Sequence, residues 1–177
     1  MSHYIYLIVG ASGSGKNTLV NELERVFGWD AIESYTTRPR RPGETRGHTF
    51  VTDKEFDQLE GLVAYTEFDG HRYGTTAEQI ETHELYIVDP AGVEFYFDTY
   101  HGTREAKIIY IKVPEHQRLA RMRQRGDAID AAVQRITHDR LAFAAFEELA
   151  DLVVSNDIFE KCLLSMIDWI NEQEVSE

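Results

Sequence analysis

The stretch GASGSGKNT at residues 10–18 decides the fold of this chain. It follows a short apolar run, YIYLIV at 4–9, and it precedes NTLVNELERVF at 17–27, where apolar residues recur at helical spacing. A buried strand, the pattern G-x-x-x-x-G-K and a helix in this order are typical of a phosphate-binding loop. The glycines turn backbone N–H groups towards phosphate oxygens, and the positive end of the helix dipole favours the anion. A glycine-rich turn that binds no ligand is the alternative, but it gives no reason for a lysine at position 16.

One residue of this loop departs from the usual pattern. The position after Lys16 normally carries a hydroxyl group that contacts Mg²⁺, whereas this chain has Asn17. We expect Mg²⁺ to be carried by the nucleotide and water rather than by protein ligands, because this ion gives up its water reluctantly. The residues predicted to bind the phosphate donor are Gly10, Ala11, Ser12, Gly13, Ser14, Gly15, Lys16, Asn17 and Thr18.

Further strands and helices alternate along the chain. Apolar runs at 84–90 (ELYIVDP), 106–114 (AKIIYIKVP) and 151–157 (DLVVSND) predict buried strands. Helices are predicted at 115–125 and 158–172, while VEFYFDTY fits either a helix or a strand. This alternation indicates an α/β fold with three layers, in which helices cover both faces of a parallel sheet. Residues 33–74 do not continue this alternation of strands and helices. They predict an inserted, small β-rich subdomain.

Composition and charge exclude several classes of protein. The chain has 177 residues, 42% of them hydrophobic, which suits one globular domain with a sizeable core. Its one cysteine, Cys162, rules out a disulfide framework and favours a reducing, cytoplasmic location. No run approaches the roughly 18 apolar residues of a membrane span. The net charge of −13 argues against a nucleic-acid or membrane partner.

Positive charge is concentrated in two short segments of this acidic chain. Four of the 18 Lys and Arg residues lie at 38–46 (RPRRPGETR), and six more lie at 118–140. Arginine suits phosphate oxygens because its rigid guanidinium group donates two parallel hydrogen bonds. The two segments are therefore predicted to bind anions. Arg118, Arg123 and Arg140 are expected on solvated helix faces instead.

Several further motifs resemble the guanylate kinase family. They are SYTTRPRRPGE at 34–44, GHRYGTT at 70–76, IVDPAG at 87–92 and VVSND at 153–157, and with the loop they cover nearly the whole chain. The resemblance implies one domain with a P-loop kinase core at 1–33 and 76–177. It also implies a nucleoside monophosphate (NMP)-binding insertion at about 34–75 and a helical lid at about 121–135.

The resemblance also implies the roles of individual residues. The acceptor monophosphate is expected to bind Ser34, Arg38, Arg41, Tyr73, Thr75 and Asp89, with the two arginines on its phosphate. The lid arginines that close over the transferring group are Arg121, Arg125 and Arg135, and Asn156 is expected at the donor adenine. The catalytic residues expected on this basis are Lys16, Arg38, Arg121 and Arg135.

The match with the family is incomplete at the guanine pocket. Alignment of LVAYTEFDGHRYGT on its glycine and tyrosine puts Ala64 where the family has a glutamate that binds guanine. Glu67 lies three residues later and replaces it only through a bulge, because residues an odd number apart point to opposite faces of a strand. GHTFV also lacks the usual phosphate-binding tyrosine, for which His48 or Thr49 is a substitute.

These observations predict an ATP-dependent NMP kinase that acts on GMP or dGMP, as a monomer or homodimer, with Mg²⁺ carried by ATP. A kinase for another (deoxy)nucleoside monophosphate or for a sugar phosphate is an alternative, because base recognition is altered. A catalytically silent, peptide-binding module is the alternative from another class. The intact Gly15, Lys16 and lid arginines argue against it.

Overall fold

The computed structural model describes residues 2–41 and 43–175 of the chain. Its strands are β1 (Tyr4–Val9), β2 (Ser34–Thr36), β3 (His48–Phe50), β4 (Leu62–Phe68), β5 (His71–Thr76), β6 (Leu85–Ile87), β7 (Glu105–Lys112) and β8 (Leu152–Ser155). Its α-helices are α1 (Lys16–Phe27), α2 (Asp53–Phe56), α3 (Ala77–Thr82), α4 (Pro90–Thr99), α5 (Glu115–Gln124), α6 (Ile129–Ala142) and α7 (Phe159–Val175), and a 3₁₀ helix spans Phe146–Leu149.

The first sheet is parallel, as predicted, and its strands lie in the order β6-β1-β7-β8. At its centre, Ile8 of β1 pairs with Ile87 of β6 on one side and with Ile109 of β7 on the other. The carboxyl ends of these strands therefore meet at one edge of the sheet. The loops that follow β1 and β6 are both held at that edge.

Alternate residues of β1 belong to two separate hydrophobic clusters. Ile5, Leu7 and Val9 lie in a cluster shared with α3 and α4, and Tyr4, Tyr6 and Ile8 lie in a cluster shared with α1 and α7. Successive side chains of a strand point to opposite faces, so both faces of β1 are covered. This arrangement explains the unbroken apolar run at 4–9 and confirms the α/β fold.

A second, mixed sheet has the order β3-β2-β5-β4. Strand β2 pairs parallel with β3 and antiparallel with β5, while β4 and β5 form an antiparallel pair. Strands β2, β3 and β4 thus lie within residues 33–74, the segment predicted to be β-rich. This sheet is held opposite the carboxyl edge of the first sheet, and the candidate site lies between the two.

Two elements differ from the sequence prediction or complete it. The ambiguous segment VEFYFDTY is helical, because Asp89 caps α4 through the Gly92 N–H and Pro90 begins the helix. Helix α2 has four residues and is stabilised by a capping box from Thr52 to Glu55. Within the described residues, no helix is long and apolar enough to cross a membrane.

Candidate active site

A cavity of about 740 Å³ lies where the two sheets and helices α5 and α6 meet. It brings together most of the site residues predicted from the sequence. The predicted residues that line it are Gly10, Ser12, Gly13, Gly15, Lys16, Asn17, Thr18, Ser34, Arg38, Arg41, Tyr73, Asp89, Arg121, Arg125 and Arg135. Ala11, Ser14, Thr75 and Asn156 are buried beside the cavity and are not among its lining residues.

The phosphate loop turns between β1 and α1 through two left-handed glycines. Gly13 has φ 80° and Gly15 has φ 92°, a region that other residues rarely adopt. The surroundings also exclude a side chain, because a Cβ atom on Gly15 would lie 2.5 Å from Nδ2 of Asn156. The spacing of glycines in the motif therefore reflects both backbone geometry and close packing.

Lys16 points back into the loop. Its ammonium group donates to the carbonyl of Gly10 and, at 3.2 Å, to that of Ala11. Desolvation by burial lowers the pKa of Lys16 to about 8, against a partly opposing effect of Asp139. A desolvated cation at the start of a helix is suited to meet the negative charge of a polyphosphate.

Asn156 supports the loop from behind. Its side chain is 3% exposed, and Nδ2 donates to the carbonyl of Ser14 at 2.7 Å. Arg121 binds the Asn156 carbonyl at 2.7 Å. The structure thus does not bring Asn156 to the cavity wall where an adenine contact was expected. Its observed contacts fix the shape of the loop.

On the opposite side of the cavity, Arg38 is held by an acidic partner that the site prediction had not included. Its guanidinium group donates two hydrogen bonds to Glu44, at 2.9 and 2.7 Å. These bonds are the main reason why the pKa of Glu44 falls to about 2. Glu44 is the last residue of the motif SYTTRPRRPGE, so the motif itself is the sequence signal that could have identified Glu44 as the partner of Arg38.

Arg41 lies in a different electrostatic environment. Its pKa is lowered by desolvation and, after that, by repulsion from Arg38, Arg135 and Arg125. These guanidinium groups approach the cavity from β2–β3 and from the lid helices. Cations gathered in this way are suited to an anion.

His48 lies beside the expected acceptor residues. Its Nδ1 is 3.0 Å from the Ser34 hydroxyl, and its ring meets that of Tyr73 edge-on at 5.6 Å. Desolvation lowers the pKa of His48, which favours the neutral ring. Of the two substitutes considered for the missing tyrosine, His48 is the one that lines the cavity.

The lid arginines make different contacts. Arg121 donates to the carbonyls of Gly13 and Ser14 at 3.4 Å. Arg125 forms an ion pair with Asp127, and Arg135 lies 5.4 Å from the ring centre of Phe68 in β4. The expectation of a solvated helix face is wrong for Arg118, which is 5% exposed because it pairs with Asp139 between α5 and α6.

The register of β4 puts the two residues considered for base recognition on opposite faces of the strand, and Glu67 lines the cavity whereas Ala64 does not. Ala64 pairs with Thr75 and Thr66 pairs with Tyr73, so the side chains of Ala64 and Thr66 share the face that carries Tyr73. A bulge does occur, but between Leu62 and Ala64, and it leaves the relation of Ala64 to Glu67 unchanged. Glu67 pairs instead with Arg72, whose guanidinium group binds Asp53 and Asp57 at α2.

No group of three or more His, Cys, Asp or Glu side chains within residues 2–41 and 43–175 is placed to hold a metal ion. Asp89 follows β6, and one of its oxygens accepts from the Gly92 N–H at 2.7 Å. Asn17 and Thr18 line the cavity at the start of α1. Among the described side chains near the loop that could bind Mg²⁺, Asp89 and Asp139 are thus charged and Asn17 and Thr18 are neutral.

Comparison with known proteins identifies relatives over almost the whole chain. The family described as "Guanylate kinase" matches residues 2–173. A guanylate kinase of Thermobifida fusca is 34% identical over 176 residues, which cover 91% of this chain and 89% of the relative. A guanylate kinase of Nitrosococcus oceani is 32% identical over 174 residues, covering 90% of this chain and 84% of the relative.

The fold agrees with a solved structure. The crystal structure of guanylate kinase from Anaplasma phagocytophilum covers 98% of this chain, and this chain covers 88% of that one, with a TM-score of 0.66 and 18% identity. That likeness shows the P-loop kinase fold, and the sequence matches show the family. The chain belongs to the guanylate kinase family and is a nucleoside monophosphate kinase, an ATP-binding phosphotransferase.

Proposed function

We propose that the chain transfers the γ-phosphoryl group of Mg·ATP to the phosphate of GMP or dGMP, which yields ADP and GDP or dGDP. The observation that carries the proposal is the placement of two sets of cationic groups around one cavity. The loop, Lys16 and Arg121 lie on one side, and Arg38 and Arg41, with Arg125 and Arg135 near Arg41, lie on the other. The relatives named above are described as guanylate kinases.

The geometry suits direct, in-line transfer. An oxygen of the acceptor phosphate attacks the γ-phosphorus, the bond to the bridging oxygen breaks, and ADP leaves with that electron pair. The acceptor phosphate is already ionised near neutral pH, so the reaction needs alignment and positive charge rather than a general base. Lys16 and Arg121 meet the donor phosphates, while Arg38 and Arg41 hold the acceptor. Closure of the lid excludes water that would otherwise hydrolyse ATP.

Mg²⁺ enters this reaction as part of the substrate Mg·ATP. The neutral donors Asn17 and Thr18 at the helix start suit an ion that keeps most of its water. Bound to the phosphates, the ion neutralises charge that develops during transfer. The chain's own contribution is to bind and orient the two phosphates.

The acceptor is tested by a panel of monophosphates. The ribo- and deoxy-forms of all bases are assayed with ATP and Mg²⁺, and kcat/KM is compared between them. GMP or dGMP is expected to give the highest value. A higher value for another monophosphate contradicts the guanine assignment and retains the kinase, whereas no turnover with any acceptor contradicts both.

Replacing Asn17 by serine is expected to change Mg²⁺-dependent kcat by less than about tenfold, or about 1.4 kcal/mol. Asn17 is exposed and lines the cavity, so the smaller serine side chain meets no packing constraint there. The measurement is kcat against Mg²⁺ concentration for both proteins. A thousandfold loss would show that the amide makes a contact that a hydroxyl does not reproduce.

Replacing Ala64 by glutamate is expected to raise kcat/KM for GMP about tenfold, or about 1.4 kcal/mol. The new carboxylate starts on the strand face that carries Thr66 and Tyr73, and guanine offers it a ring N–H and an amino group. The matched control is Glu60→Gln, an exposed residue just before β4 that does not line the cavity, and it should leave kcat/KM within twofold.

The same variants separate guanine from other acceptors. If the natural acceptor carries another base, Ala64→Glu should depress turnover of that acceptor, because a buried carboxylate without a partner is costly. The thermal unfolding midpoint is measured in parallel, since Ala64 is fully buried. Unchanged kinetics on every acceptor would contradict a role of this position in base recognition.

A further inference from the structure

Helices α5 and α6 share a buried ion pair that the reaction described above does not use. Arg118 of α5 is 5% exposed and Asp139 of α6 is 7% exposed. Their side chains meet at 3.1 Å between Nη1 and Oδ2. Desolvation of two charges offsets much of their attraction, so a buried pair of this kind is weak evidence for a stabilising role. The contacts of the pair indicate a different role.

Both residues of the pair bind the main chain of a single residue in the phosphate loop. The Ser12 N–H donates to Oδ2 of Asp139 at 2.7 Å, and Nη1 of Arg118 donates to the Ser12 carbonyl at 3.3 Å. The same two side-chain atoms therefore hold each other and both polar groups of Ser12. This network involves no side-chain atom of Ser12.

The backbone of α5 also approaches the loop closely. A Cβ atom on Gly13 would lie 2.8 Å from the carbonyl oxygen of Arg118. Next to this contact, Arg121 donates to the carbonyls of Gly13 and Ser14. The lid helices and the loop thus form one connected unit on the donor side of the cavity.

Helix α6 reaches the second sheet as well. His138 meets the ring of Phe68 edge-on at 4.8 Å, and Arg135 lies over the same ring at 5.4 Å. Asp139, which binds the loop, directly follows His138, which contacts β4. One turn of α6 therefore spans from the donor loop to the strand pair that lines the acceptor side.

We infer that Asp139, with Arg118 as its counter-charge, is a positioning residue for phosphoryl transfer. The pair fixes the lid helices on the main chain of Ser12 and so sets the distance between the loop and the lid arginine Arg135. The inference rests on the proposed kinase reaction. Alignment of the two phosphates is the main source of rate in such a transfer, so a loosened lid lowers kcat more than it weakens acceptor binding.

The test is a double variant, Arg118→Met with Asp139→Leu, which replaces the pair by apolar side chains of similar volume. Such replacements of buried pairs are often neutral for stability, so the variant is expected to fold. Asp139→Asn is the second variant, because it removes the charge and keeps an acceptor for the Ser12 N–H. The matched control is Arg140→Met, since the exposed pair of Arg140 and Glu115 joins the same two helices without touching the loop.

For the folded double variant we expect kcat with GMP to fall tenfold or more, while KM for GMP changes less than about threefold. Amide hydrogen exchange of residues 10–18 should become faster. Asp139→Asn should lie between the double variant and the wild-type chain, and Arg140→Met should stay within twofold in kcat. If the pair only stabilised the fold, its replacement would lower the unfolding midpoint without a larger effect on kcat than on KM.

A folded double variant with wild-type kcat and unchanged exchange overturns the inference. Failure of both pair variants to fold also overturns it, because the pair is then a stability element. The wild-type chain is assayed alongside with the same acceptors. If it transfers nothing, the proposed function fails, and exchange at residues 10–18 still decides whether the pair holds the loop.

Discussion

Replacing Lys16 by alanine is expected to lower kcat for phosphoryl transfer a thousandfold or more, about 4 kcal/mol of transition-state stabilisation. The ammonium group is desolvated beside the loop carbonyls, where water does not compensate for its loss. The chain should stay folded, because the hydrogen bonds of Lys16 within the described residues go to the loop carbonyls and it makes no ion pair there. The measurement is kcat with saturating Mg·ATP and GMP.

A control for the Lys16 variant is Lys161→Ala, which removes an exposed lysine from α7, far along the chain from the loop. It should leave kcat within twofold. The far-ultraviolet circular dichroism of both variants shows whether they are folded. Turnover near the wild-type rate by a folded Lys16→Ala protein would contradict the assignment of residues 10–18 as the donor-phosphate loop.

Replacing Arg41 by alanine is expected to raise KM for the acceptor about a hundredfold, or about 2.7 kcal/mol, and to change KM for ATP less than about threefold. Arg41 is the better test of the acceptor site than Arg38. Loss of Arg38 would leave the carboxylate of Glu44 without its partner and so disturb the fold locally. Arg41 instead faces other cations, which an acceptor phosphate would neutralise.

The matched control for Arg41 is Arg40→Ala in the same segment. Arg40 is exposed, lies 4.3 Å from the ring centre of Phe50 and donates to the main chain of Glu44. It is not among the residues that line the cavity. Both KM values should stay within threefold of wild type. A rise in KM for ATP with an unchanged acceptor KM would show that the two phosphate sites are assigned the wrong way round.

The sequence predicts the donor side of this molecule well because its information is local. The motif at 10–18 lies between a strand and a helix that adjoin it in the sequence. The run at 4–9 is apolar throughout because both faces of its strand are buried, so its burial can be predicted without knowing what packs on either face. Asp89 and Pro90 illustrate the limit of such reading. They cap and begin α4, yet the aromatic segment that follows fits either a helix or a strand by periodicity alone.

The parts that the sequence did not predict depend on distant partners. The polar helix at 115–125 gives no sign that Arg118 is buried, because the partner Asp139 lies 21 residues away and on another helix. Asn156 follows its strand as expected, but the loop that it supports is 142 residues earlier in the chain. Periodicity shows which face a residue occupies, not what packs against that face.

The support of the phosphate loop by later parts of the chain has a consequence for synthesis. Ser12, Gly13 and Ser14 are bound by side chains of Arg118, Arg121, Asp139 and Asn156, so the motif emerges from the ribosome long before its supports. Until β8 has docked beside β7, the Ser14 carbonyl lacks the amide of Asn156. A nascent chain that ends before β8 therefore carries the nucleotide motif without its final shape. We expect nucleotide affinity to be acquired only when the last strand of the first sheet is added.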